Sequence, residues 1–103
     1  MSRFIGKLVH PKTKKEYYFE WSTIVDAPVT SMMNKKDFYK YYRIMYGLEG
    51  MEELPSRMER VEQKGCSAVG DDWTYKDFVS YNRAGENGKR IRTITEMIER
   101  NLN

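Results

Sequence analysis

A chain of 103 residues with 40% hydrophobic, 32% charged and 14% aromatic content has the size and balance of one compact globular domain whose small core needs no disulfides. Its one cysteine, Cys66, excludes an intramolecular disulfide, and no apolar run approaches the roughly 18 residues that span a bilayer or forms the core of a secretory leader, so a cytoplasmic protein with no membrane partner is expected. The formal charge of +3 conceals a division, because residues 1–15 hold Arg3, Lys7, Lys12, Lys14 and Lys15 with no acid, a segment at +5 that leaves the rest of the chain at −2. Such cations are ordinary on a solvated strand edge, which they protect from pairing. A patch for anions or nucleic acid is the sharper alternative.

The elements run from strands to helices. "RFIGKLVH" alternates weakly, with Ile5 and Val9 on one side and Phe4 and Leu8 on the other, and "EYYFEWSTIV" is dense in aromatic and β-branched residues. With "HPKTKK" as the turn, residues 1–25 read as a β-hairpin. Tyr17, Phe19 and Trp21 share one face and are expected in the core; Tyr18, Glu20 and Ser22 share the other. "DAPVTSMM" breaks the strand, because Pro28 lacks an N–H and holds Ala27 extended, so 26–33 is a loop.

Residues 34–103 form the helical part of what reads as a single domain, 1–103. Asn34 is placed to cap a helix with Asp37 at the third position, and Met33 to staple onto Phe38. That helix is expected over 35–46, burying Phe38, Tyr41 or Tyr42, and Met45, and ending at Gly47. Met51, Leu54, Met58 and Val61 recur at helical spacing, with a helix from Pro55 to Lys64 stopped by Gly65. "CSAVGDD" reads as a loop. A third helix, from Tyr75 to about Arg83, would be capped by Thr74 and stapled by Trp73, with "AGENG" the turn after it. Thr93 and Glu96 make another capping box, before a buried stripe of Ile94, Ile98 and Leu102. The expected fold class is α+β: an N-terminal hairpin covered by about four short helices.

"KDFYKYYR" (36–43) returns as "KDFVSYNR" (76–83). Capping accounts for the repeated Asp and Phe. It does not require the paired Lys36/Lys76, Tyr41/Tyr81 or Arg43/Arg83, which leaves open two similar helix faces meeting at one cleft.

Catalytic chemistry finds little footing. His10 stands alone beside a turn and reads as a surface residue; no His/Cys cluster has metal-ligand spacing, no nucleophile has a local base, and no glycine-rich loop opens a helix after a strand. Neither an enzyme nor a bound cofactor or metal is expected. The richer stretch is "WSTIVDAPVT", where Ser22, Thr23, Asp26 and Thr30 gather beside Trp21. Such groups commonly close their own loop. As a pocket, they would be joined by Tyr42, Arg43, Asn82 and Arg83, the arginines reaching past two helix ends.

The order of "WSTIVDAPVT" (21–30), "YYRIMYGLEG" (41–50), "LPSRMERVEQKG" (54–65) and "SYNRAG" (80–85) resembles small accessory proteins of unassigned function encoded by tailed phages, over roughly residues 18–98. The charged N-terminal strand, and "GENG" (85–88) in place of a proline-containing turn, depart from that pattern. The resemblance implies a protein acting in an infected bacterial cell on the host or its defences. Three modes follow: sequestering an anionic, nucleotide-like ligand with Arg, Ser/Thr and an aromatic residue; occluding a host protein through exposed aromatic and methionine side chains; or binding nucleic acid weakly through the hairpin. The first is the leading expectation. Homo-oligomerisation stays open.

Overall fold

The computed structural model describes residues 3–67, 75–82 and 91–102, with backbone alone for Tyr75, Lys76 and Tyr81. Trp73, Thr74, Arg83 and the "AGENG" turn lie outside these residues. The hairpin is present: β1 (Arg3–Val9) pairs antiparallel with β2 (Glu16–Ser22), Phe4 opposite Trp21 and Gly6 opposite Phe19. A two-residue strand, β3 (Ala27–Pro28), adds to β2, giving a three-stranded sheet in the order β1-β2-β3.

Both sheet edges are extended by single bridges. The Lys7 N–H donates to the Gly65 carbonyl and the Ser67 N–H to the Ile5 carbonyl, both at 2.9 Å, along β1. On the other side Tyr18 and Met33 exchange backbone bonds at 2.6 and 2.9 Å. Covered edges offer fewer unpaired backbone groups to another chain, a task that the basic residues were expected to perform alone.

Three helices follow among the described residues: α1 (Lys35–Lys64), α2 (Tyr75–Tyr81) and α3 (Ile94–Arg100). The expected helix over 55–64 is not separate. α1 breaks at Gly47 (φ 65°, ψ −159°) and resumes at once, so Pro55 lies inside its second segment rather than at a start. Gly47 takes a conformation open essentially to glycine alone. Two caps form as read: Asn34 Oδ1 accepts the Asp37 N–H at 2.8 Å and Thr93 Oγ1 the Glu96 N–H at 3.1 Å. Gly65 closes α1 by donating its N–H to the Val61 carbonyl at 2.7 Å.

The sheet is buried on both faces, not one. Phe4, Leu8, Phe19 and Trp21 pack with Phe78 of α2 and with Met97 and Ile98 of α3. On the other face Ile5 and Tyr18 pack with Phe38, Tyr42, Leu54, Met58 and Val61 of α1. The expected α1 stripe is thus nearly right, but Met45 is exposed, and in α3 Met97 takes the buried place assigned to Leu102, which is exposed. Tyr18, Glu20 and Ser22, expected to face away from the core, are buried, because α1 is long enough to cover the second face.

Candidate functional site

The two matching octapeptides set their phenylalanines on different faces of the sheet. Phe38 anchors α1 on one face of the sheet and Phe78 anchors α2 on the other, so equivalent helix starts lead to opposite sides. Arg43 is exposed on α1, and Arg83 lies outside the described residues.

Within 21–30 two hydroxyl groups bond to nearby backbone. Ser22 Oγ accepts the Ile24 N–H at 3.2 Å, and Thr30 Oγ1 accepts the Glu20 N–H at 3.1 Å while donating to the Ser31 carbonyl at 3.0 Å. Asp26 turns the chain with φ 51°, a left-handed position that Asp tolerates better than most residues. Ser22 and Thr30 thus bond to backbone groups of Ile24, Glu20 and Ser31. Trp21 and Tyr42 are not with them in one pocket: Trp21 is buried toward α2, and Tyr42 is buried on the opposite face, its phenol oxygen accepting from Arg57 Nη1 at 2.6 Å. Asn82, buried, follows α2.

The structure adds a residue that sequence reasoning passed over. Glu20 is only 3% exposed, and its carboxylate accepts from Tyr41 Oη and from Tyr46 Oη, the latter at 2.7 and 2.8 Å to its two oxygens. Arg3, opposite Ser22 in the ladder, sits against Tyr46 and Glu20. A buried carboxylate is tolerable only when its lone pairs are met. Both tyrosines precede Gly47, so the same bonds latch the kinked part of α1 onto β2.

A second polar cluster lies further along the same face. Tyr18 Oη donates to Glu62 Oε1 at 2.6 Å, and Lys7 Nζ reaches Glu62 at 2.9 Å as well as Glu16. The hydrogen bond from Tyr18, followed by that from Lys7, holds Glu62 below the usual carboxylate range. Burial disfavours the Lys7 charge, but hydrogen bonds to Glu16 and Glu62 outweigh it and raise its pKa. The +5 segment is therefore not one patch. Lys7 is engaged by acids, and Arg3 stands at the opposite end of β1 from the lysines of the turn.

These contacts predict a pH response. Burial first, and then a hydrogen bond to a carboxylate, raises the phenols of Tyr18, Tyr41 and Tyr46; burial also raises Tyr42, against the charge of Arg57. A group whose folded pKa exceeds its unfolded value contributes stability that is complete below the unfolded value, about 10 for tyrosine, and is lost as pH rises through the folded one. The raised Lys7 acts in the same sense. The melting temperature should hold through neutral pH and fall above about pH 10, with part of the tyrosinate absorbance appearing only on unfolding. All eight tyrosines titrating together in the native protein, with no fall in melting temperature, would contradict this.

One end of the domain is unusually apolar outside. Ile24 is 78% exposed, Ile44 82% and Leu48 76%, accompanied by exposed Val25, Val29, Met45 and Tyr46. The Ser22–Ile24 contact and the Tyr46–Glu20 bonds tie the 23–29 loop and the Gly47 kink to the same end of β2. Among the described residues no group of His, Cys, Asp and Glu is placed to hold a metal ion, and no helix is long and apolar enough to cross a membrane. No family model, curated protein or solved structure matches the chain.

Proposed function

We propose that the chain is a non-catalytic binding protein that occludes a partner protein, in the role of a phage accessory protein directed at the host or its defences. The observation that carries this reading is the apolar end: of the nine large hydrophobic side chains exposed among the described residues, the seven just named lie on the 23–29 loop and the Gly47 kink. Scattered apolar side chains need no explanation, whereas a concentration of them marks a docking surface. Arg43 and Glu49, both exposed, flank the kink and supply the mixed-charge rim of a protein interface. The backbone beneath is ordered in advance by the Ser22 and Glu20 contacts, which lowers the entropy lost on docking. The host context rests on the resemblance of the four motif stretches.

Sequestration of an anionic ligand by Trp21, Ser22, Thr23, Asp26, Thr30, Tyr42, Arg43, Asn82 and Arg83 has less support as one site, since the sheet lies between Trp21 and Tyr42. Mass spectrometry of the chain recovered from bacterial cells, native and then denatured, compares the two. The wild type is expected to carry a stoichiometric bacterial protein that the Ile44→Asp/Leu48→Asp variant lacks, while both melt at nearly the same temperature, because these side chains are exposed. A retained small molecule with no protein, a complex that survives in the variant, or a complex made only of copies of this chain would each overturn the proposal.

A further inference from the structure

Away from the apolar end, the outer edge of β1 is left open over its last residues. His10 donates its N–H to the Lys15 carbonyl at 2.9 Å, so the alternation of an antiparallel pair turns the N–H and C=O of Val9, opposite Glu16, away from β2. Ile5 and Lys7 point the same way, and there Ser67 and Gly65 bond to them. On the near side of Gly65 the chain is already α1, so no strand continues the edge. Among the described residues, the Val9 N–H, the Val9 carbonyl and the Lys7 carbonyl have no hydrogen-bond partner. Lys7 and Val9 line a cleft of about 600 Å³ between the hairpin turn, the last turn of α1 and the start of α3, within the roughly 300–1,000 Å³ typical of ligand sites. We infer that this cleft receives the N-terminal end of an extended peptide from another protein, added to β1 as a short parallel strand.

The walls of the cleft are set in advance. His10 is 7% exposed rather than on the surface, and its Nδ1 accepts the N–H groups of Lys12 at 3.2 Å and Thr13 at 3.3 Å. That assigns the ring proton to Nε2, which is directed at Glu99 Oε1 of α3 at 3.4 Å. The Lys14 N–H returns to the His10 carbonyl at 2.9 Å, with Lys14 in a left-handed conformation (φ 64°). The turn is thereby tied to α3, and Glu62 ties Lys7 to the end of α1 at 2.9 Å. Preformed walls lower the entropy lost when a peptide is ordered between them.

The register selects the occupant. In a parallel pair the first peptide residue donates its amine to the Lys7 carbonyl and accepts the Val9 N–H, and the third donates its N–H to the Val9 carbonyl. Three residues then satisfy all three groups. The Gly6–Cys66 bridge sets Gly65 opposite Lys7, so the open edge admits the end of a chain and not a strand running through. An antiparallel peptide would bring its carboxylate against the carbonyl end of α1, whereas a parallel one brings its amine there, the sense that the helix dipole favours. Lys14 and Lys64 also line the cleft, so the amine is held by its bonds to carbonyl groups and not by net charge. A second copy of this chain does not fit edge to edge, because antiparallel pairing about Val9 would place Pro11 of that copy opposite Lys7, where Gly65 stands. The second peptide residue lies beside Val9, which is 42% exposed, with Pro11 and Ile94 also in the lining. An apolar, β-branched side chain is expected there.

The probe is the tripeptide amide Ala-Val-Ala with a free amino end, titrated into the full chain and followed by amide chemical shifts, with its N-acetylated form as the comparison. Saturable shifts are expected at Val9 and Gly65. Exchange of the Val9 N–H with solvent should slow at saturation, while that of the His10 N–H, already bonded to Lys15, stays the same. Acetylation should weaken binding about tenfold, since the blocked end meets Gly65 and loses a charge-assisted bond. Val9→Pro, which removes an N–H that the β1–β2 ladder does not use, should weaken it about fivefold, the scale of one hydrogen bond. The Ile44→Asp/Leu48→Asp variant should bind the probe like the wild type, so this site and the docking surface stand or fall separately. Equal binding of the acetylated peptide, a Val9 N–H left unprotected at saturation, its protection by self-association without peptide, or a Kd above about 10 mM would overturn the inference.

Discussion

Trp21→Ala is expected to destabilise the protein by about 3–5 kcal/mol, the range for deleting a large aromatic side chain from a packed core. Trp21 is fully buried and meets the Phe78 ring edge-on, with centroids 5.3 Å apart. It faces Phe4 on β1 and Pro28 on β3 across the sheet, so it joins all three strands to the helical layer formed by α2 and α3. Removing it leaves a cavity beneath Phe78 that backbone hydrogen bonding prevents from closing fully. Denaturant unfolding of wild type and variant measures the loss. A change below about 1 kcal/mol, the size of an ordinary surface substitution, would place the indole outside the core and return it to the list of ligand contacts.

Gly6→Ala should cost about 2–3 kcal/mol, the upper part of the usual range for overpacking. Ordinarily an alanine in place of a strand glycine gains about 0.5–1 kcal/mol of backbone entropy, so the expected sign is reversed here. The added Cβ would lie 2.5 Å from Phe19 Cζ and 2.8 Å from Phe78 Cζ. Neither ring has room to retreat, since both are fully buried and pack edge-on at 5.0 Å, with Trp21 behind Phe78. Shortening one obstacle should help: Phe78→Leu, itself destabilising, should cost less in the Gly6→Ala background than in the wild type. The sum of the single effects would then exceed the double, a coupling expected only for residues in contact. A neutral or stabilising Gly6→Ala would show that the ring ends are not where the core places them.

The two substitutions probe the face of β2 that alternation identified. Tyr17, Phe19 and Trp21 on one side is a consequence of strand geometry and needs no knowledge of the rest of the chain. The helix starts at Asn34 and Thr93, the break at Gly47 and the stop at Gly65 are equally local, because each depends on a side chain or a glycine within one turn of the backbone it satisfies. Pro55 misled because a proline suggests a new helix start, although α1 continues through it.

What lay beyond the sequence are contacts between elements distant along the chain. Glu20 alternates with buried aromatics and so reads as solvent-facing; the structure buries it because Tyr41 and Tyr46 arrive from α1 with the donors its carboxylate needs. His10 looks like a loop residue until its Nδ1 is seen to close the hairpin turn. The two matching octapeptides carry the same instructions for starting a helix and none for choosing a face of the sheet, so Phe38 and Phe78 end on opposite sides. Local sequence determined the elements, their caps and the core face of β2, because those depend on neighbours within a few residues. Tertiary structure alone decided that the second face is also covered, that Trp21 and Tyr42 are parted, and that the apolar side chains of 24–29 and 44–48 gather at one end, because each depends on which distant surfaces meet.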